Sequence, residues 1–332
     1  MDLALALPDA IRLEIGDPDF PTPAHVVEAA AEAARAGFTH YAPGAGLLSL
    51  RELIAEKVGA RNGFACGVEQ VVVSTGACGG IHAALMTLLD PGDELLVPDP
   101  GWTTYVPMAH AAGVRVVPYP LDRSRGFALD VSAVEERIGP RTRAVVINTP
   151  GNPTGAVASR ASLERVLGLT AARGLWLISD ECYEDLVFEG EHLSVAALGD
   201  AEHVVSVFSF SKSYAMTGWR VGYAIAPAAV APLLARAQEP LVASASTVSQ
   251  KAAEAALTGP QDVVAEMRDT YRRRRDRAVA LLDAAGVGYV RPAGAFYLMV
   301  DVGGDGDAFA ERLLRSRGVA VVPGGAFGAE AA

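Results

Sequence analysis

From about Gln70 onward, short runs of β-branched and other apolar residues alternate with stretches of helical spacing. Val71-Val72-Val73 leads into a helical pattern over Ile81 to Leu89. Glu94 to Val97 leads into Trp102 through Ala112, and Val114 to Val117 follows. Arg143 to Ile147 precedes a helix near Ser162 to Ala172, and the runs Leu175 to Ser179 and Val204 to Phe208 come next. Strands that alternate with helices need crossover connections. The pattern therefore predicts an α/β fold, a mainly parallel sheet covered by helices on both faces. Ligands of such sheets gather at the carboxyl ends of the strands. Past about Ala237 the texture changes. A long helical pattern through Ala285 is followed by Val287 to Arg291, Phe296 to Val302, a helix over Asp307 to Arg317, and Val319 to Val322. This predicts a smaller α+β domain joined by a long helix. The expected division is a segment 1–38, a large domain 39–236, and a linking helix with a small domain over 237–332.

Composition narrows the functional classes. A chain of 332 residues, 51% hydrophobic and 20% charged, has ample material for buried cores. A net charge of -11 speaks against nucleic acid, whose phosphates need a basic surface. The one dense basic run, Arg272 to Arg275, falls on a helical pattern whose other face carries Val263, Met267 and Tyr271, and reads as a solvated face. Cys66, Cys78 and Cys182 share no CxxC spacing, as expected of reduced thiols in a cytoplasmic protein. The histidines show no metal-ligand spacing, and Gly303 to Asp307 lacks that of a calcium loop. Met1 to Leu5 has an acid where a signal peptide wants a base. Gln70 to Leu89 carries no charged side chain, but its glycines and hydroxyls fit a buried strand, a turn and a core helix better than a membrane span.

The candidate chemistry follows the apolar runs. Lys212 stands in Ser209-Phe210-Ser211-Lys212-Ser213, just after Val204 to Phe208, and Arg220 lies eight residues on. Burial at a strand end lowers a lysine pKa and makes the amine a usable nucleophile toward an aldehyde. The planar guanidinium of Arg220 suits a phosphate. An amine for an aldehyde, with hydroxyls and an arginine for a phosphate, describes a seat for pyridoxal phosphate. Thr149-Pro150-Gly151-Asn152-Pro153-Thr154-Gly155 holds Asn152 at the tip of a rigid loop, either as a plain turn or as a ligand contact. Asp180 follows another apolar run and is either a cap or the partner of a protonated pyridine nitrogen. Tyr183, three residues on, could reach the ring's phenolic oxygen. Gly76, Ala77 and Cys78 lie in a small-residue turn opening a helix, where free N–H groups favour a phosphate. Trp102 is either a core residue or a platform for a flat ring.

Together these segments resemble the class I and II aminotransferases, the aspartate-aminotransferase-like branch of pyridoxal-phosphate enzymes. The resemblance runs from Gly16-Asp17-Pro18-Asp19-Phe20 to Pro323-Gly324-Gly325-Ala326-Phe327. It rests on the Asn-Pro-Thr-Gly loop, the Asp-x-x-Tyr pair, and Ser-x-Ser-Lys with its arginine, in family order. It implies that Lys212 carries the cofactor as a Schiff base and that Asp180 pairs with the pyridine nitrogen. Asn152 and Tyr183 would bond the ring oxygen, Ser209 and Arg220 the phosphate, with the Gly76–Cys78 turn capping it and Trp102 stacking on the ring. Tyr41 would reach the phosphate of a neighbouring subunit in a homodimer, and Gly16 would belong to the loop over the substrate carboxylate. Lys212, Asp180 and Tyr183 are the expected catalytic group; Gly16, Trp102 and Asn152 the expected substrate contacts. The implied reaction moves an amino group between an L-amino acid and a 2-oxo acid. The family carries a carboxylate-clamping arginine beyond the Pro-Gly-x-x-Phe segment, and no arginine follows Arg317 here. A carbon–sulfur lyase, or a cofactor-binding protein with impaired catalysis, would use the same cofactor residues.

Overall fold

The computed structural model describes residue 7 and residues 9–332; the start of the chain, where a signal peptide was sought, lies outside the described residues. Eight strands come first along the chain: β1 (Ile11–Arg12), β2 (Val71–Ser74), β3 (Glu94–Asp99), β4 (Arg115–Pro120), β5 (Thr142–Asn148), β6 (Trp176–Asp180), β7 (Val204–Ser209) and β8 (Gly222–Ile225). All but β1 form one sheet in the order β2-β8-β7-β6-β5-β3-β4. Strands β4, β3, β5, β6 and β7 run parallel, and β8 is antiparallel to both of its neighbours. The α/β fold with a mainly parallel sheet is thus as expected, while β8 was missed. Its run is short, and Gly222 at its start carries no side chain to signal a strand.

Successive residues of the strands face different cores. Val145, Ile147 and Leu177 join Leu163 and Val166 of the helix Arg160–Arg173 on one face. Val146, Ile178, Val205 and Val207 pack with Ile81 and Leu85 of the helix Gly76–Leu88 and Leu234 of the helix Ala231–Val242 on the other. Burial on both faces is why these strands read as continuous apolar runs rather than alternating ones. At roughly 1.5–3 kcal/mol per buried aliphatic side chain, the two cores hold the sheet rigid beneath whatever sits on its edge. The uncharged stretch from Gln70 to Leu89 is strand β2 and a core helix, as expected, and among the described residues no helix is long and apolar enough to cross a membrane.

Two expectations need correction. The long helical pattern from Ala237 to Ala285 is three helices, Ala231–Val242, Thr247–Thr258 and Asp262–Ala285. Ala243 takes a positive φ of 57, off the helical path, and Ser246 caps the second helix by accepting from the Ser249 N–H. Gly259-Pro260 ends it before the third begins, since proline cannot continue a helix. The basic run is likewise not wholly solvated. Arg272, Arg273 and Arg274 are exposed, but Arg275 is buried, where it donates to the Pro292 carbonyl and to Glu189. Beyond the large sheet, β9 (Tyr289–Val290) pairs with β10 (Met299–Val300). Then β11 (Val319–Ala320) pairs in parallel with β1, so the start and end of the described chain meet in one small ladder.

Candidate active site

The carboxyl ends of β3, β5, β6 and β7 lie along one edge of the sheet, because these strands are parallel and adjacent. Register brings β2 to the same edge: Ser74 at its end and Ser209 at the end of β7 both pair with Gly222. A cavity of about 670 Å³ opens there. Its lining includes Gly16, Ala77, Cys78, Trp102, Asn152, Asp180, Tyr183, Ser209, Lys212 and Arg220. Ten of the residues singled out from the sequence therefore converge, from strand ends, helix starts and loops spread over some two hundred positions.

Lys212 sits on the short helix Phe210–Ser213 that follows β7. Its amine donates to the Gly16 carbonyl and lies 5.5 Å from the centre of the Phe296 ring. Burial lowers its pKa, against the opposing pull of Cys182, Asp17 and Cys78. Asp180, the last residue of β6, is 2% exposed. Tyr105 donates to its Oδ2 at 2.6 Å and the Cys182 N–H to its Oδ1 at 3.3 Å. Both partners are neutral. Burial accordingly pushes the Asp180 carboxyl above its usual range despite these bonds.

Asn152 is held by a chain of contacts. Its backbone N–H donates to Asn148 Oδ1 at 2.7 Å, and Asn148 Nδ2 donates to the Asp180 carbonyl at 3.0 Å. Its Nδ2 faces two phenols, Tyr183 Oη at 3.4 Å and Tyr297 Oη at 3.3 Å, which are themselves 2.6 Å apart. Asn152 Oδ1 is buried with no hydrogen-bond partner among the described residues, and burial raises the Tyr183 pKa well above normal. Three polar groups therefore point at one place in the cavity wall.

At the other end, the helix Gly76–Leu88 starts beside Arg220. Gly76 has φ +73, and a Cβ there would lie 2.8 Å from Arg220 Nη2, so only glycine fits both the turn and the guanidinium. Arg220 donates to the Thr217 carbonyl at 2.7 Å and the Thr75 carbonyl at 3.3 Å, and Ser209 Oγ accepts from the Ser211 N–H. A helix N-terminus, a guanidinium and a hydroxyl form a ready anion site. Trp102 packs edge-on against Tyr105, with ring centres 5.2 Å apart. Gly16 is closely covered as well: a Cβ there would fall 2.1 Å from Tyr297 Oη.

Tyr41 is not brought to this cavity. It is 89% exposed, on a segment tied to the large sheet by the bond from the Val73 N–H to the Ala45 carbonyl. Tyr105, Asn148, Tyr297 and Glu14 are cavity-side residues that the sequence reading did not find. Tyr105 had no usable signal: the helix begins at Tyr105 itself, after Trp102, and its bond to Asp180 spans 75 positions. Tyr297 had none, because its contact with Asn152 spans 145 positions.

The family described as aminotransferase class I and II matches residues 8–332. The chain belongs to the class I and II aminotransferases. Among relatives, it is 44% identical over 329 residues to an arginine–pyruvate transaminase of Pseudomonas aeruginosa, covering 98% of this chain and 84% of that protein. It is 42% identical to an aspartate/prephenate aminotransferase of Thermus thermophilus, over 97% of this chain and 84% of that one. Among solved structures, the Thermus thermophilus aspartate aminotransferase with maleate superposes with a TM-score of 0.94 at 42% identity, over 98% of this chain and 87% of that one. An aromatic aminotransferase from Pyrococcus horikoshii gives 0.94 at 38% identity, over 99% and 91%. The fold is that of the aspartate aminotransferases, and the chain is an aminotransferase.

Proposed function

We propose that this aminotransferase works with pyridoxal phosphate attached at Lys212 and moves the amino group of an L-amino acid to a 2-oxo acid. The observation that carries the reading is Asp180, a buried carboxylate with only neutral partners in the same cavity as the lysine. Such a carboxylate is costly until a cation meets it. A protonated pyridine nitrogen is a cation at the edge of a flat ring, and Trp102 offers a flat face beside it. The lowered pKa of Lys212 favours the free amine that an aldehyde requires. Ser209, Arg220 and the turn from Gly76 to Cys78 would hold the phosphate, and Asn152 and Tyr183 the phenolic oxygen.

When bound, the cofactor supplies the electron sink that lets a substrate Cα–H bond ionise. The chain supplies geometry and proton handling. Asp180 would keep the ring nitrogen protonated, and Tyr105 keeps Asp180 aimed. Once the substrate's amino group has replaced Lys212 on the cofactor, the freed Lys212 Nζ would take the proton from the substrate Cα, a role that typically contributes ~10²–10⁴-fold. Gly16, which already accepts from Lys212, belongs to the loop that would close over the substrate carboxylate. A homodimer is part of this reading. Tyr41, exposed on a firmly anchored segment, would complete the phosphate site of a second copy. Three unpaired cysteines fit a cytoplasmic setting. The division into a large cofactor-binding part and a smaller C-terminal part belongs to the same reading.

The test is chemical. Borohydride reduction of the cofactor-loaded protein, followed by peptide mass mapping, is expected to leave the pyridoxyl group on Lys212. The chain has two other lysines, Lys57 and Lys251, and a label on either would overturn the assignment.

A further inference from the structure

The segment entering the cavity inverts the usual pattern of burial. Ile11, Leu13 and Ile15 are 59%, 65% and 48% exposed, whereas the side chain of the acid between them, Glu14, is 6% exposed. Strand β1 ends at Arg12 and the backbone bends at Glu14 and Ile15, which takes the Glu14 side chain out of solvent while Leu13 and Ile15 stay exposed. Leu13 donates its N–H to the Ala320 carbonyl, which fixes the segment against β11. Glu14 is thereby turned inward and lines the cavity. Arg12 pairs with one of its oxygens, Oε1. The other, Oε2, is buried and has no hydrogen-bond partner among the described residues. Two residues span at most about 7 Å of chain, so Glu14 lies close to Gly16, the carbonyl that Lys212 touches.

We infer that Glu14 reads the far end of the amino-acid side chain, and that the cavity selects substrates with a cationic group on a methylene stem. This deepens the aminotransferase reading and rests on it. A buried carboxylate oxygen left without a donor is costly, and a guanidinium or ammonium supplies both charge and N–H groups. The neighbouring wall, including Ala310, Leu314, Ala320 and Val322, is aliphatic. An apolar wall with the half-paired Glu14 carboxylate beside it matches a side chain with an apolar stem and a charged tip. A second carboxylate on the substrate, in place of the cation, would face Glu14.

The closing experiment compares L-arginine with L-citrulline, which keeps the shape but replaces the guanidinium by a neutral urea. On the cofactor-loaded wild type, kcat/KM with pyruvate is expected to favour L-arginine about 10- to 100-fold, the range of a hydrogen bond to a charged group. In Glu14→Gln that ratio should collapse toward one. The wild-type comparison stands even if the variant does not fold. Calorimetry with 5-guanidinopentanoate and 5-ureidopentanoate, which lack the reacting amine, should show the same preference in Kd. A wild-type ratio near one, or a ratio unchanged in Glu14→Gln, overturns the role of Glu14 while leaving transamination intact. A guanidinium preference in calorimetry with no turnover of either amino acid would support the site and count against the proposed amino transfer through Lys212 instead.

Discussion

Asp180 and Glu181 are consecutive, both buried, and treated by the structure in opposite ways. Asp180 faces the cavity and meets only a phenol and a backbone amide. Glu181, with 0% exposure, faces a network that the chain supplies to its Oε2, while its Oε1 has no hydrogen-bond partner among the described residues. Ser194 donates to its Oε2 at 2.5 Å, and His192 Nε2 lies 2.9 Å from the same oxygen. Behind them, Asn62 bridges Ser194 and Glu184, and Lys57 bonds both Asn62 and Glu184. Lys57 also lies 4.9 Å from the centre of the Phe208 ring. One buried carboxylate is thus answered by cationic and hydroxyl groups from within, while its neighbour is left without a cation. Desolvation is unfavourable for both. Of these two neighbours, Asp180, without an internal cation, marks where a ligand brings the complement, and Glu181, with His192 and Ser194 on its Oε2, marks where the protein holds itself together.

Three experiments would break or sharpen that contrast. The largest effect is expected from Asp180→Asn, which removes the negative charge but keeps shape and most hydrogen bonding. Turnover should fall on the order of 10²–10³-fold, the scale of losing one preorganised electrostatic contact, while thermal stability stays near that of the wild type. A variant with normal turnover would make Asp180 merely structural.

Lys57→Met should do the reverse. It strands Glu184 and Asn62 in a region where Lys57 and Glu184 side chains are only 8% and 10% exposed. Removing one partner of a buried ion pair typically costs about 3–5 kcal/mol, so urea denaturation should show a large loss of stability. The activity of the fraction that remains folded should be close to normal. A stable Lys57→Met with impaired turnover would mean that the network serves the chemistry after all.

The smallest effect concerns pH. Burial disfavours charge on His192, but its hydrogen bond and attraction to Glu181, with Glu184 behind, outweigh burial and the repulsion of Lys57 and raise its pKa. A raised pKa in the folded state means that His192 stabilises fully below its unfolded pKa of about 6.5. That contribution is lost as pH rises through the folded value. The stability gap between wild type and His192→Gln, from denaturant melts, should be larger at pH 6 than at pH 9. An equal gap at both would show that His192 acts through packing alone.

Much of this molecule was legible in the chain. The runs at Val71, Glu94, Arg143, Leu175 and Val204 are strands because only a sheet buried on both faces tolerates such continuous apolar sequence. Lys212, Asp180 and Asn152 were legible because each stands at the end of such a run, where a parallel sheet gathers ligands. Segments without a run were misread or missed. Strand β8 is short and opens on glycine, and the breaks near Ala243 and Gly259 interrupt what periodicity alone reads as one helix. Arg275 looked like its three neighbours, and only packing against Pro292 and Glu189 sets it apart.

Sequence alone therefore determined the strands and the strand-end residues, since both depend on local composition and on topology that follows from it. Tertiary structure alone decided which buried charge has a partner. Lys57 meets Glu184 across 127 positions, Tyr105 meets Asp180 across 75, and Glu14 turns inward only because the segment after β1 is pinned beside β11. Such pairings are set by three-dimensional packing between distant segments, and nothing in the local sequence encodes the distance between two side chains that the fold brings together.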